Sequence, residues 1–259
     1  MSVKTAIITG GAGGLGLALD AGLRARGWAT VLIDLPGPAL DGVEPLANRT
    51  THACDLTDTG ALTALCDRLR HDHDSIDMVI YNAGITWIGD FADLSDPIHR
   101  KVFEINYFAA VNMAQALRDD LRRARGTHLA ISSVAGFSAL YRRTAYAASK
   151  HALDGFFKSL RSEEKPHGVR CLVAAPSFVA TNIGGSNHTD GTARPGSATD
   201  GIDYMSPADA AETILKGVDK SRNMIPVGRI AWLAWLINRA SPRLFEHLMQ
   251  RRIAKTPKP

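Results

Sequence analysis

The chain has few of the residues that build disulfide-stabilised or metal-bound proteins. Its 259 residues include three cysteines, Cys54, Cys66 and Cys171, at wide spacing and without a CxxC pair. None of the nine histidines has metal-ligand spacing to another histidine, a cysteine or a carboxylate. We therefore expect no disulfide framework, no bound metal and a reducing compartment.

Long apolar runs and a strong excess of one charge are also missing. No stretch reaches the roughly 18 apolar residues that a membrane span requires. The N-terminal apolar run passes into a glycine cluster without the small-residue cleavage site of a signal peptide, which predicts a cytoplasmic protein. The net charge is only +4, and much of the basic excess lies after residue 238. We interpret this as a solvated helix end and expect no nucleic-acid partner.

Short apolar runs alternate regularly with helical patterns along the chain. Runs rich in Val, Ile and Thr cover 5–9, 30–33, 50–54, 76–81, 127–132, 169–174 and 224–227. Helical spacing covers 15–26, 60–70, 98–122 and 146–162. Apolar strands that alternate with helices indicate a parallel sheet covered on both faces. We predict one α/β domain over residues 1–228, a doubly wound seven-stranded Rossmann sheet, with an amphipathic helical extension over 229–259.

A glycine-rich loop, TGGAGGLG, follows the first apolar run. It fits the dinucleotide fingerprint GxGxxG with Gly11, Gly13 and Gly16, and a second register with Gly10, Gly14 and Gly16. Glycines let the backbone approach a pyrophosphate closely, and the helix that follows offers free N–H groups to that anion. The position of the loop between a strand and a helix favours a dinucleotide site over a flexible turn.

Asp34 ends the second apolar run, about 18 residues after Gly16. An acidic residue at this distance accepts hydrogen bonds from the adenosine ribose and repels the 2′-phosphate of NADP. No Arg or Lys lies inside the glycine-rich loop or directly after Asp34. The sequence therefore predicts NAD rather than NADP, with a surface aspartate as the alternative reading.

A tyrosine and a lysine four residues apart begin the helical pattern at 146–162. Tyr146 and Lys150 share one helix face. A free tyrosine has a pKa of about 10, and an ammonium one turn away is expected to lower it. Such a tyrosine can exchange a proton with an alcohol or a carbonyl oxygen. Ser133 lies where the fifth strand ends, and open α/β sheets bind ligands at strand ends.

Together these features resemble the short-chain dehydrogenase/reductase family. The resemblance covers about Val3 to Val227, and its motifs occur in the family's order: Thr9-Gly10-x-x-x-Gly14-x-Gly16, Asp55-Leu56, Asn82-Ala83-Gly84, Asn106, Ser133, Tyr146-x-x-x-Lys150 and Pro176. Two positions depart from the family pattern: Ser177 where glycine is common and Tyr81 where asparagine is common.

The resemblance implies a catalytic set of four residues. Tyr146 would be the general acid/base, and Ser133, rather than Ser132, would orient the substrate oxygen. Lys150 would lower the pKa of Tyr146 and hold the nicotinamide ribose, and Asn106 would support a water-linked proton relay. The expected cofactor contacts are Gly10, Gly13, Gly14, Leu15, Gly16, Asp34, Asp55, Leu56, Asn82, Ala83, Gly84, Tyr146, Lys150, Pro176, Val179 and Thr181.

These expectations describe an NAD-dependent oxidoreductase that transfers a hydride between nicotinamide and a hydrophobic secondary alcohol or ketone. The apolar substrate is inferred from Trp87, the segment 182–204 and the apolar C-terminal helices. One alternative is an NADP-linked 3-oxoacyl-thioester reductase, which Asp34 disfavours. Another is a non-catalytic nucleotide-binding scaffold or sensor, which the intact catalytic set disfavours. The resemblance implies a homodimer or homotetramer.

Two segments have no role in these motifs. Residues 182–204 are rich in Gly, Ser, Thr, Asn and Asp and lack periodicity, as in a functional lid or a disordered loop. The run Ile230–Ile237 contains two tryptophans and is too short to span a bilayer. We expect this run to cover the substrate cleft or to form a subunit contact, in preference to lying in a membrane interface.

Overall fold

The computed structural model describes residues 3–181, 190–196 and 204–253, and its strands and helices alternate along the chain. The strands are β1 (Thr5–Thr9), β2 (Ala29–Asp34), β3 (Arg49–Ala53), β4 (Met78–Tyr81), β5 (Thr86–Trp87), β6 (Thr127–Ile131), β7 (Arg170–Pro176), β8 (Thr192–Ala193) and β9 (Met224–Val227). The helices are α1 (Gly14–Arg24), α2 (Pro38–Asp41), α3 (Thr59–Asp72), α4 (Asp96–Phe103), α5 (Ala109–Ala116), α6 (Arg118–Ala124), α7 (Thr144–Glu164), α8 (Pro207–Asp219), α9 (Arg229–Ala240) and α10 (Pro242–Ile253).

Seven strands form one parallel sheet in the order β3-β2-β1-β4-β6-β7-β9. The predicted doubly wound sheet is therefore confirmed. The chain moves outward from β1 to β3 and then returns to pair β4 against the other edge of β1. This reversal leaves a crevice at the carboxyl ends of the strands, which is where open α/β sheets bind ligands.

The core has two layers because consecutive strand residues point to opposite faces of the sheet. Ile7 packs on one face with Val79 and with Phe157 from α7. Ile8 packs on the other face with Leu19 from α1 and with residues of α8. The continuously apolar strands therefore have a buried partner layer on each side, as the sequence pattern predicted.

The segment 98–122, predicted as one helical pattern, is divided in the structure. A π-helical turn, Glu104–Phe108, separates α4 from α5, and Leu117 leaves helical geometry before α6. The amide of Ala109 bonds to the carbonyl of Glu104, five residues back rather than four. Such widened turns occur often at functional sites, and this one contains Asn106.

The predicted structureless loop over 182–204 is only partly correct. Residues 192–193 form β8, which pairs antiparallel with β5. The pairing joins Thr86 to Ala193 and Trp87 to Thr192. Residues 182–189 and 197–203, on which the rest of that prediction falls, lie outside the described residues.

A buried histidine in β6 predicts how stability depends on pH. Burial lowers the pKa of His128 from 6.5 to about 4, although the charge of Glu164 opposes this. The neutral ring accepts or donates a 2.7 Å hydrogen bond between Nδ1 and the Tyr81 hydroxyl. Because the unfolded chain binds the proton more readily, the stabilisation is complete above pH 6.5 and is lost as pH falls toward 4. We expect this loss to reach about 3 kcal/mol.

Denaturant titrations of the wild-type protein and His128→Gln at several pH values measure this effect. Glutamine keeps a polar partner for Tyr81 and removes the titrating ring. The free energy of unfolding should therefore vary less with pH in the variant than in the wild type. Equal pH dependence in the two proteins between pH 6.5 and 4 would show that His128 does not titrate as its burial requires.

Candidate functional site

The residues predicted from sequence meet in one cleft at the carboxyl ends of the strands. The cleft has a volume of about 420 Å³, and it is lined by every predicted site residue except Gly16 and Asn106. Gly16 instead packs against Gly10 and Gly11 within the glycine-rich loop, and the Asn106 side chain is hydrogen-bonded to Ile85. Residues as distant in sequence as Gly10 and Thr181 are therefore brought together.

The glycine-rich loop fits a dinucleotide. Gly10 has a φ of +62°, which favours glycine, and a Cβ there would lie 2.9 Å from Ala83 Cα. A Cβ on Gly14 would lie 2.7 Å from the carbonyl oxygen of Thr181. The helix α1 begins at Gly14, has no side-chain cap, and contributes Gly14 and Leu15 to the lining of the cleft. The first N–H groups of a helix have no partner within it. Bare backbone at a helix N-terminus is a suitable cradle for a pyrophosphate.

Asn82 holds the turn after β4 against this loop. Its side-chain amide donates to the carbonyl oxygens of Thr9 and Gly10 at 3.1 and 3.0 Å. In return, the Thr9 hydroxyl accepts from the backbone amides of Asn82 and Ala83, each at 3.0 Å. Four hydrogen bonds thus join the two turns, so the two predicted cofactor segments form one rigid wall.

Tyr146 and Lys150 lie on one face of α7, buried in the cleft. The Lys150 ammonium donates to the Ile131 carbonyl oxygen at 2.9 Å and lies 5.8 Å from the centre of the Tyr146 ring. Burial lowers the pKa of Lys150 to about 8, against the charge of Asp154. Lys150 is therefore mostly a charged ammonium at neutral pH, and it loses its proton not far above that pH.

The prediction that Tyr146 has a lowered pKa is not borne out by the protein groups alone. Burial raises the pKa of Tyr146, and a hydrogen bond with Ser133 and the charge of Arg143 only partly offset this. The Ser133 oxygen accepts from the Ala135 amide at 3.1 Å, which leaves its hydroxyl proton for Tyr146. The tyrosine is thus held in its protonated form, ready to donate to a carbonyl oxygen.

Asn106 is buried and does not line the cleft, and its side chain connects three neighbouring segments. Its side chain accepts from the Ile85 amide at 2.8 Å and donates to the Ile85 carbonyl oxygen at 2.9 Å. It also donates to the Ser149 hydroxyl on α7 at 2.9 Å. A Cβ on Gly84 would lie 3.2 Å from the side-chain oxygen Oδ1 of Asn106 and 3.6 Å from Lys150 Nζ. Asn106 therefore fixes the spacing between the turn after β4 and the Tyr146–Lys150 helix.

Asp34 has a cationic partner that the sequence did not reveal. Its carboxylate accepts from the Ala12 and Leu35 amides at 3.0 and 2.9 Å. The guanidinium of Arg194 donates to the same carboxylate at 3.1 Å. A basic side chain therefore does lie beside Asp34 in the structure, although no Arg or Lys is close to it in sequence. Asp34 and Arg194 are 160 residues apart, and no motif connects them.

The end of the cleft beyond Tyr146 is largely apolar. Its walls come from the turn after β5, the segment before α7, the turn after β7, and α9 and α10; the lining side chains include Ile88, Leu140, Tyr141, Phe178, Ile230, Ala234 and Phe245. Of the two roles expected for the run Ile230–Ile237, the structure shows Ile230 and Ala234 lining the cleft, and the subunit contact stays a prediction. Trp87, in contrast, does not line it: it lies in β5, packed against Gly89 and Gly191.

Arg143 is the second site residue that lacked a clear sequence role. It lines the cleft three residues before Tyr146, and its charge acts on the tyrosine hydroxyl. Arg143 is the residue just before α7 and has non-helical backbone angles, so helical spacing could not have linked it to Tyr146. The neighbouring Arg142 instead pairs with Asp90 at 3.2 Å.

The fold and the glycine-rich loop together indicate a dinucleotide-dependent oxidoreductase. The group of Ser133, Tyr146 and Lys150, called here the Ser–Tyr–Lys cluster, agrees with this class. A family model described as short chain dehydrogenase matches residues 4–191. The chain belongs to the short-chain dehydrogenase/reductase family, whose fold binds a nicotinamide cofactor. Within this family it is similar to dehydrogenase/reductase SDR family member 7B of Bos taurus, 32% identical over 96% of this chain and 81% of that protein. The Danio rerio protein of that name is 30% identical over 97% of this chain and 86% of that protein.

Two solved structures share the fold over its whole length. A short-chain dehydrogenase from Burkholderia cenocepacia, crystallised in complex with NADP, has a TM-score of 0.81 at 22% identity and covers 99% of both chains. One from Streptomyces avermitilis has a TM-score of 0.81 at 23% identity, with 99% of this chain and 100% of that chain covered. These likenesses show the fold. None of the helices in the described ranges has the length and apolar character needed to cross a membrane.

Proposed function

We propose that this protein is an NAD-dependent dehydrogenase/reductase that interconverts a hydrophobic secondary alcohol and its ketone. One observation carries the proposal: Tyr146, which is hydrogen-bonded to Ser133, lines the same cleft as the glycine-rich loop and the apolar side chains of α9 and α10. A reacting carbon placed there adjoins a proton donor on one side and the nicotinamide end of the cofactor site on the other.

The protein's own groups account for the proton transfer. The nicotinamide, when bound, supplies or accepts the hydride. In ketone reduction, the Tyr146 hydroxyl donates its proton to the substrate oxygen, which Ser133 orients through a hydrogen bond. In alcohol oxidation Tyr146 must first lose its proton, and its phenolate oxygen then accepts the proton of the substrate alcohol. The Lys150 ammonium, fixed by Ile131, stabilises the negative charge that develops on the Tyr146 oxygen.

The proposed cofactor contacts divide along the cleft. Asp34 would hold the adenosine ribose, and Asp55 with Leu56 would hold the adenine. Lys150 and Tyr146 would hold the nicotinamide ribose. Asp34 supports NAD over NADP, since its carboxylate accepts ribose hydroxyls and repels a phosphate at the same place.

The substrate class follows from the walls of the cleft beyond Tyr146. Apolar side chains from α9 and α10 face this space, including Ile230 and Phe245. Burial of apolar surface is worth about 25 cal/mol per Å², so an apolar substrate gains affinity there. A charged or strongly hydrated alcohol would lose hydration without an equal return.

Turnover of a panel of secondary alcohols, followed by absorbance of the reduced cofactor, tests this proposal. NAD and NADP are supplied in parallel, and polyols of matched size serve as the polar control. We expect NAD-dependent turnover that increases with the apolar character of the alcohol and falls in Ser133→Ala. A preference for polyols would contradict the substrate class. Tight NADH binding without any turnover would favour the scaffold or sensor alternative.

A further inference from the structure

The guanidinium of Arg194 lies beside Asp34, where the proposed function places the adenosine ribose. Arg194 directly follows β8, and its Nη2 lies 3.1 Å from Asp34 Oδ1. Its Nη1 lies 3.3 Å from the position that a Cβ on Gly13 would occupy. The side chain of Arg194 is 34% exposed and that of Asp34 only 6%. The arginine, from a distant segment, thus lies directly beside the place where a side chain at position 13 would begin.

The segment that carries Arg194 is anchored at several points. Before it, Asp190 pairs with Lys101 at 2.6 Å and accepts from the Thr192 hydroxyl at 2.7 Å. After it, the Pro195 carbonyl oxygen accepts from the Thr181 hydroxyl at 2.9 Å. The backbone at Arg194 is therefore held over the glycine-rich loop, and the guanidinium is directed to Asp34 by that placement.

Asp34 itself is fixed, so the arginine is the partner that can respond to a ligand. Both carboxylate oxygens accept from rigid backbone amides, those of Ala12 and Leu35. Arg194 approaches on a flexible side chain that is partly open to solvent. The ion pair offsets the negative charge that would repel a phosphate. The same guanidinium has the planar donor geometry that binds phosphate oxygens in pairs.

We propose that Arg194 binds the 2′-phosphate of NADP(H) and thereby narrows the preference for NAD(H) that Asp34 imposes. The inference rests on the proposed function only in placing the adenosine beside Asp34. With NAD(H) bound, the ribose hydroxyls compete with Arg194 for the Asp34 carboxylate. With NADP(H) bound, the phosphate draws the guanidinium away from Asp34.

Dissociation constants of NADH and NADPH, measured by isothermal titration calorimetry, test the proposal on wild type and Arg194→Gln. We expect NADPH to bind about 10- to 100-fold more weakly to the variant, the effect of losing a charge-assisted hydrogen bond. NADH should bind equally well or more tightly, because Asp34 is released to the ribose. Arg194→Lys should retain part of the NADPH affinity. Equal weakening of both cofactors, or unchanged NADPH affinity, would overturn the proposal.

A matched control separates the charge of Arg194 from the position of its segment. Lys101→Gln removes the ion pair with Asp190 but keeps the pairing of β8 with β5, the Thr181–Pro195 hydrogen bond and the Arg194 side chain itself. This variant should bind both cofactors as the wild type does. If it reproduces a selective loss of NADPH, segment position rather than Arg194 controls the preference. The same titrations are repeated with Tyr146→Phe, which lacks the proposed proton donor. Cofactor binding is measured there without turnover, so the binding result stands even if the turnover assay of the proposed function fails.

Discussion

Replacing Tyr146 with phenylalanine is expected to lower kcat by about 1,000-fold, within the range that general acid–base catalysis contributes. The change removes one oxygen atom from a buried ring and leaves the shape of the cleft nearly unchanged. Ser133 then loses its hydrogen bond to the tyrosine oxygen, and Lys150 has no developing phenolate to stabilise. Cofactor binding should weaken only slightly, since half of the expected contacts lie along the glycine-rich loop and the turn after β4, and Tyr146 is the one contact residue that changes.

Steady-state kinetics and NADH titration of the same preparation measure both halves of this prediction. Tyr141→Phe is the matched control, because Tyr141 also lines the cleft but is 52% exposed and is not part of the Ser–Tyr–Lys cluster. It should keep kcat within a few fold of the wild-type value. A Tyr146→Phe protein with wild-type kcat would exclude the tyrosine as the proton donor. Loss of both NADH binding and folding would mean that the hydroxyl is structural.

The second large effect is expected from Gly16→Ala in the first turn of α1. A Cβ on Gly16 would lie 2.8 Å from both Gly11 Cα and Gly11 O, and closer still to the carbonyl oxygen of Gly10. All three atoms are backbone, so the loop must move to admit the methyl group. We expect kcat/KM to fall by about 100-fold, because misplacement by roughly 1 Å has effects of this size. Overpacking should also lower the free energy of unfolding by about 1–3 kcal/mol.

Gly155→Ala is the control for this substitution. Gly155 lies in α7, and apart from its chain neighbours and the backbone of α7 itself, no heavy atom of the described residues lies within 4 Å of a Cβ built there. Alanine in place of glycine in a helix should stabilise the protein by about 0.5–1 kcal/mol. Activity should remain at the wild-type level. If Gly16→Ala binds NADH as tightly as the wild type does, the glycine-rich loop is not the cofactor cradle.

The sequence predicted the frame of the site because local pattern and motif spacing carry that information. The strand Met224–Val227 has the bounds that its apolar run predicted. Asn82, Ser133 and Tyr146 each follow or face the end of a predicted strand, and parallel strands bring such ends to one edge. Once the sheet order is known, these residues meet in the cleft without further information. The homo-oligomeric state and the cytoplasmic location stay predictions.

Elements governed by long-range contacts were beyond reach of local patterns. The π-helical turn at Glu104–Phe108 has ordinary helical composition, and only the docking of Asn106 on Ile85 and Ser149 distinguishes it. In the same way, β8 is two residues long and forms only because β5 lies beside it. Tertiary contacts override local preference in both cases.

The sequence alone thus determined the family of fold, the glycine cradle and the Ser–Tyr–Lys set, since each depends on spacing within a strand, loop or helix. Tertiary structure alone decided which charges surround them. Burial raises the pKa of Tyr146 despite Lys150 one turn away, and Arg194 reaches Asp34 from 160 residues along the chain. Electrostatic environment depends on burial and on through-space neighbours. Neither the burial of a residue nor its neighbours in space can be predicted from the spacing of residues along the chain.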